Sequence, residues 1–180
     1  GLAKRPGNAS DDEANWFFTL STYLPEVNGQ YRRTKAQFHR AYGVMLDDIG
    51  TKSAERARLD ACPPSYLIET SPGNYQAGYL FAEPQENLDR VNALQEALVA
   101  TGLCDPGAKS PASRLGRLPR GHNGKYDPPP MCRLVEWHPE RRYTIAEIDQ
   151  RLQLQAPAGK SAKAAKTSRA SHATPAEDVN

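Results

Sequence analysis

SYLIETSPGNYQAGYLF, residues 65–81, is the stretch on which the reading of this chain turns. Ser65 to Thr70 and Tyr75 to Phe81 are two runs rich in aromatic and branched residues, set around Ser71-Pro72-Gly73-Asn74. Pro-Gly between two such runs is a turn signal, so a β-hairpin is expected. After it, Pro84 is expected to open a helix that carries Leu88, Val91, Leu94, Leu98 and Val99 at helical spacing and that Gly102 closes. Before it, Val44-Met45-Leu46 reads as a short apolar strand running into Asp47-Asp48.

Further out the signals are uneven. Trp16 to Tyr23 (WFFTLSTY) reads as one strand ended by Pro25. Arg33 to Tyr42 has helix-forming composition, which Gly43 breaks. From Cys104 to Pro130 the sequence is rich in Gly, Pro and Arg without periodicity, and a loop of that length inside a domain is usually functional. Cys132 to Trp137 (CRLVEW) reads as a further strand. Thr144-Ile145-Ala146-Glu147 is a capping-box pattern that starts a helix with Ile148 and Leu152 on one face. Residues 1–14 are expected to be a flexible lead-in, 15–155 one domain, and 156–180 an Ala/Lys/Ser linker or tail.

At 180 residues the chain suits one domain and is too short for several at once. An opening at Gly1 suggests a domain cut from a longer protein. No apolar run approaches the roughly 20 residues that cross a bilayer, so no membrane partner is expected. Cys62, Cys104 and Cys132 are widely spaced and read as buried thiols of a reducing cytoplasm. A formal net charge of +2 gives no global field for nucleic acid, so local placement carries the information.

Three local features stand out. Adjacent carboxylates such as Asp47 and Asp48 repel each other, and near a core they call for a compensating cation. Mg²⁺ or Mn²⁺ suits carboxylate oxygens. Neighbouring residues of a regular strand point to opposite faces, so both acids reach one site only if the strand ends or twists there, and Gly50 allows that. The hairpin tip offers Ser71, Asn74 and Gln76 to a phosphate. Asp105 precedes Ser113-Arg114-Leu115-Gly116-Arg117-Leu118-Pro119-Arg120, and His122-Asn123-Gly124-Lys125 follows. Arginine forks and a lysine charge on a glycine-studded loop suit a triphosphate. Taken alone, each feature reads more readily as a solvated turn, a plain hairpin or an exposed basic loop.

Their order and spacing together resemble the RepB-type DNA primases, a branch of the archaeo-eukaryotic primase superfamily. The resemblance rests on Leu46-Asp47-Asp48-Ile49-Gly50-Thr51-Lys52, on Glu69-Thr70-Ser71-Pro72-Gly73-Asn74-Tyr75-Gln76, and on the acid ahead of an Arg-Leu-x-Arg-Leu-Pro segment with Asn123-x-Lys125. It covers about residues 16–155. It implies an α/β (α+β) catalytic core with a mostly antiparallel sheet, similar to the RNA-recognition motif, and packed helices. It further implies that Asp47, Asp48 and a third acid hold two Mg²⁺ or Mn²⁺ ions. Asp105 is the third by its place, with Glu136 as the alternative. Ser71, Asn74, Gln76, Arg114, Arg117, Asn123 and Lys125 are then the nucleotide contacts. Gln76 stands near where many relatives have histidine, and glutamine donates a hydrogen bond without carrying charge.

The implied activity is primer synthesis, by a primase or primase-polymerase domain of a plasmid or phage replication protein in a bacterial cytoplasm. Single-stranded DNA and nucleoside triphosphates would be its ligands, and a helicase or helical C-terminal domain its partner. A catalytically weak nucleic-acid-binding module and a metal-dependent nuclease are the alternatives. A nuclease has little use for the Arg114-to-Lys125 cluster.

Overall fold

The Pro72–Gly73 turn folds the chain back so that Ser71 pairs with Asn74 and Tyr66 with Gly78, as the hairpin reading requires. A computed structural model describes residues 15–108 and 110–154; the lead-in 1–14 and tail 156–180 lie outside the described residues. In chain order the elements are β1 (Phe17–Phe18), β2 (Ser21–Tyr23), β3 (Phe38–Ile49), β4 (Tyr66–Ser71), β5 (Asn74–Gln85), α1 (Leu88–Ala100), β6 (Gly116–Arg117), β7 (Arg133–Trp137), β8 (Arg142–Tyr143) and α2 (Ile145–Leu152). Short 3-10 turns occupy Lys35–Gln37, Arg56–Ala61 and Pro106–Ala108.

Six strands form one sheet in the order β2-β3-β5-β4-β7, with β8 beside Leu80 and Phe81 of β5. All of its pairings are antiparallel except β5 with β8. β1 and β6 form a separate two-stranded ladder. The chain is thus an α/β domain with a mostly antiparallel sheet, as expected.

Alternation along the strands divides the sheet into two faces. Leu46, Leu67, Ala77, Tyr79 and Phe81 pack on Val91, Leu94 and Leu98 of α1 and on Ile148 and Leu152 of α2, which makes the main core. Met45, Tyr66, Ile68 and Cys132 form a smaller cluster on the other face, under Phe18 and Leu20. The helices therefore cover one face, and the long loop with its β1–β6 ladder partly covers the other.

Both helices start where side-chain chemistry satisfies their first N–H groups. Thr144 and Glu147 form the expected capping box. Asn87, not Pro84, caps α1, accepting from the Arg90 N–H at 3.1 Å, because β5 runs on through Pro84 to Gln85.

Two expectations are corrected. Phe38 to Tyr42 is the first part of β3 and not a helix: Lys35, Ala36 and Gln37 make only one 3-10 turn. Helix propensity is a weak preference, and here pairing of Ala41 with both Ser21 and Gln85 outweighs it. Gly43 does not break an element but lies inside one, where a Cβ would run into the Tyr79 carbonyl. WFFTLSTY is likewise not one strand. It splits at Thr19–Leu20, sending β1 to β6 and β2 to β3.

Candidate active site

The two adjacent acids share one face because β3 carries a bulge there. Leu46 pairs with Ala77 and Ile49 with Tyr75, so Asp47 and Asp48 together stand opposite the single residue Gln76. Leu46 and Ile49 both point into the main core. The acids emerge on the opposite face, that of Met45 and Gln76. The turn that achieves this is made by Asp48 itself, which has φ of 58°, followed by Gly50 at 84°. Aspartate is among the few residues other than glycine that visit this left-handed region readily. The backbone then folds over the Asp48 carbonyl, which accepts from the N–H groups of Thr51, Lys52 and Ser53.

Each acid meets a basic group of the chain itself. Arg114 Nη2 donates to Asp47 Oδ2, and Arg114 Nη1 to the Gly107 carbonyl at 3.3 Å. Lys52 Nζ donates to Asp48 Oδ2 at 3.1 Å, and Asn74 Nδ2 to Asp48 Oδ1 at 3.0 Å. Burial pushes the Asp48 carboxyl up. Those hydrogen bonds, with the charges of Lys52 and Lys125, outweigh it and hold the group below the usual carboxylate range. The Lys52 ammonium is in turn held above its ordinary value by the hydrogen bond and charge of Asp48, with Asp105 and Asp47 adding to it. Compensation of the paired acids, which by sequence pointed to a metal, is thus also supplied by Arg114 and Lys52.

Of the two candidates for a third acid, the structure brings Asp105 to the pair. Its N–H donates to the Asp47 carbonyl at 3.3 Å. Its carboxylate turns back on its own loop and accepts from the Gly107 N–H at 2.9 Å. Glu136 pairs in register with Leu67, on the helix-covered face, and is bound to Arg56. Among the described residues no three His, Cys, Asp or Glu side chains are gathered as a metal centre. The donor chemistry of Asp47 and Asp48 nonetheless fits a hard divalent cation: oxygen only, with Asp48 ionised.

The residues expected at the phosphates divide into two groups. Ser71, Asn74, Gln76 and Asn123 are buried, and their side-chain hydrogen bonds go to the protein. Asn74 holds Asp48 and accepts from Thr51. Gln76 Oε1 accepts from the Arg117 N–H at 2.9 Å, fastening β6 above the sheet. Asn123 Nδ2 donates to the Thr70 carbonyl at 2.9 Å, fastening the following loop. The Arg117 guanidinium is engaged as well, with Asn15 Oδ1 at 2.8 Å, the His122 carbonyl at 3.3 Å and the Phe17 ring. Arg114 binds Asp47, and the exposed Lys125 adds its charge at Asp48. Ser71 Oγ lies 3.4 Å from the Tyr126 hydroxyl at the hairpin tip. Sequence reasoning gave no role to Lys52, Thr51 and Tyr126. For Lys52 a signal existed, a lysine four residues after Asp48 across a Gly-Thr turn.

The comparisons bear on the family and the fold. A model of the family described as RepB DNA-primase N-terminal domain matches residues 21–159. A comparison with curated proteins yields no match. Among solved structures, the primase-polymerase domain of cyanophage S-2L is similar at a TM-score of 0.57 and 17% identity, covering 78% of this chain and 69% of that one. The catalytic domain of primase RepB′ in complex with initiator DNA is similar at 0.50 and 26%, covering 63% and 60%. A second RepB′ structure is similar at 0.51 and 24%, covering 68% and 42%, so this chain spans only part of the RepB′ chains.

Proposed function

We propose, on the premise that the chain belongs to the family of RepB DNA-primase N-terminal domains, that it synthesises primers on single-stranded DNA. The observation that carries the reading is the bulge at Asp47–Asp48, which turns two carboxylates to one face beside Arg114, Lys52, Lys125 and the Asp105 backbone. The reaction is nucleotidyl transfer: a 3′-hydroxyl attacks the α-phosphate of a nucleoside triphosphate, and pyrophosphate leaves. Asp47, Asp48 and Asp105 are the residues to hold Mg²⁺ or Mn²⁺. When bound, such ions supply charge neutralisation at the α-phosphate and a lowered pKa at the attacking hydroxyl.

The chain's own groups do the rest. Arg114 and Lys125 face the triphosphate, and Ser71 and Tyr126 flank it at the hairpin tip. Asn74 orients Asp48, while Gln76 and Asn123 fix the loop that carries the arginines. Such transfer depends mainly on positioning and on neutralising charge. That the RepB′ catalytic domain was solved with initiator DNA supports DNA as the template of this chain too. A helicase or helical domain joined to the C-terminal side would complete the replication protein. Incubation with single-stranded DNA, Mn²⁺ or Mg²⁺ and labelled triphosphates tests the reading. New oligonucleotides support it. DNA binding without incorporation would make the chain a binding module, and template degradation without triphosphate a nuclease.

A further inference from the structure

We infer that Lys52 and Arg114 are exchangeable counter-ions: each neutralises one of the paired acids in the resting protein and passes to the phosphate oxygens when metal and triphosphate enter together. The inference rests on the primase reading and assigns a role to Lys52.

The geometry supports exchange for both residues. Lys52 Nζ is 3.1 Å from Asp48 Oδ2, yet its side chain is 69% exposed on a flexible stem, so only the headgroup is held. The turn of Thr51, Lys52 and Ser53 over the Asp48 carbonyl fixes where the stem starts. Arg114 binds Asp47 and the Gly107 carbonyl, but its buried Nε has no partner. A guanidinium with a spare donor is incompletely satisfied where it rests, and a phosphate oxygen supplies the missing acceptor. A divalent ion at Asp47–Asp48 cannot keep an ammonium and a guanidinium against the same carboxylates, because like charges repel. Released without phosphate, both cations lose their carboxylate partners. Metal alone therefore binds against them, and metal with triphosphate binds with them.

Binding distinguishes this exchange from an ordinary surface lysine. Mn²⁺ binding, read by electron paramagnetic resonance, and affinity for a labelled non-hydrolysable triphosphate at saturating Mn²⁺ are measured for wild type, Lys52→Met and Lys52→Arg. Lys52→Met should bind Mn²⁺ alone about tenfold tighter and the triphosphate about tenfold more weakly, within the usual range of coupling between two ligands. Lys52→Arg should stay near wild type in both. A change in only one measurement, changes of the same sign, or no change overturns the exchange while leaving the metal site standing. Absence of Mn²⁺ binding in all three proteins, with or without triphosphate, overturns the metal site and the exchange with it.

Discussion

The main-chain N–H of Asp105 donates to the main-chain carbonyl of Asp47 at 3.3 Å, which ties the start of the long Gly- and Pro-rich loop to the bulge of β3. Arg114 closes the same junction from further along the loop, reaching both Asp47 and the Gly107 carbonyl. The loop is therefore anchored at its acid end by backbone and side chain together. Glu136, on the helix-covered face with Arg56, takes no part in it.

With Asp105 proposed as the third acid, Asp105→Asn should abolish nucleotide addition or nearly so, while Glu136→Gln should leave it within a few-fold of wild type. Steady-state incorporation on a supplied primer checks both. The reverse pattern would move the third acid to the other face of the sheet.

Asp48 carries a conformational demand as well as a charge. Asp48→Asn keeps a side chain that tolerates the left-handed region, and should lose activity with little loss of thermal stability. Asp48→Val places a β-branched residue at φ of 58° and should cost about 1–2 kcal/mol more, read by denaturant unfolding. Equal stability of the two variants would mean that the bulge is not fixed at Asp48.

Arg114 and Arg117 should separate. Arg114→Ala should raise the KM for triphosphate roughly 10- to 150-fold, the value of a charge-assisted hydrogen bond worth about 1.5–3 kcal/mol. Arg117 braces Asn15, His122 and the Phe17 ring, so Arg117→Ala should lower the melting temperature and affect KM less. Kinetics and thermal melts on the same preparations distinguish them.

Gln76→Ala removes a buried acceptor and leaves the Arg117 N–H unpaired, at a cost of about 1–3 kcal/mol. If Gln76 acts only by fastening the loop, any loss of nucleotide affinity should accompany a loss of stability. Weaker nucleotide binding at unchanged stability would make Gln76 a direct contact.

The capping box predicts one feature of acid unfolding. The Thr144 N–H and hydroxyl hold the Glu147 carboxyl below its ordinary value of 4.5 in the folded state. Its contribution is present above that value and is lost as pH falls through the lowered one. Glu147→Gln should therefore flatten the fall of stability below about pH 4.5 and change its slope little at neutral pH.

Much of this was legible because it is local chemistry. Pro72-Gly73 marks the hairpin, and Thr144 with Glu147 marks the start of α2. The acids, too, could be singled out. Less legible were features set by pairing between distant strands. Phe38–Tyr42 looks helical until Ala41 finds Ser21 and Gln85. The face on which Glu136 lies depends on a register shift between Leu67 and Ile68. The bulge itself combines the two kinds. An apolar strand ending in two acids and a glycine signals a distortion, but only the pairings of Leu46 and Ile49 show that Asp48 makes the turn. The counter-ions Lys52 and Arg114 show why a demand for compensation did not by itself establish a metal.

The most direct measurement is primer synthesis on single-stranded DNA with Mn²⁺ and labelled triphosphates, comparing wild type with Asp47→Asn and Asp48→Asn. New oligonucleotides from the wild type, none from either variant, and none from the wild type in chelator are the predicted result. Undiminished synthesis by both variants would contradict the account.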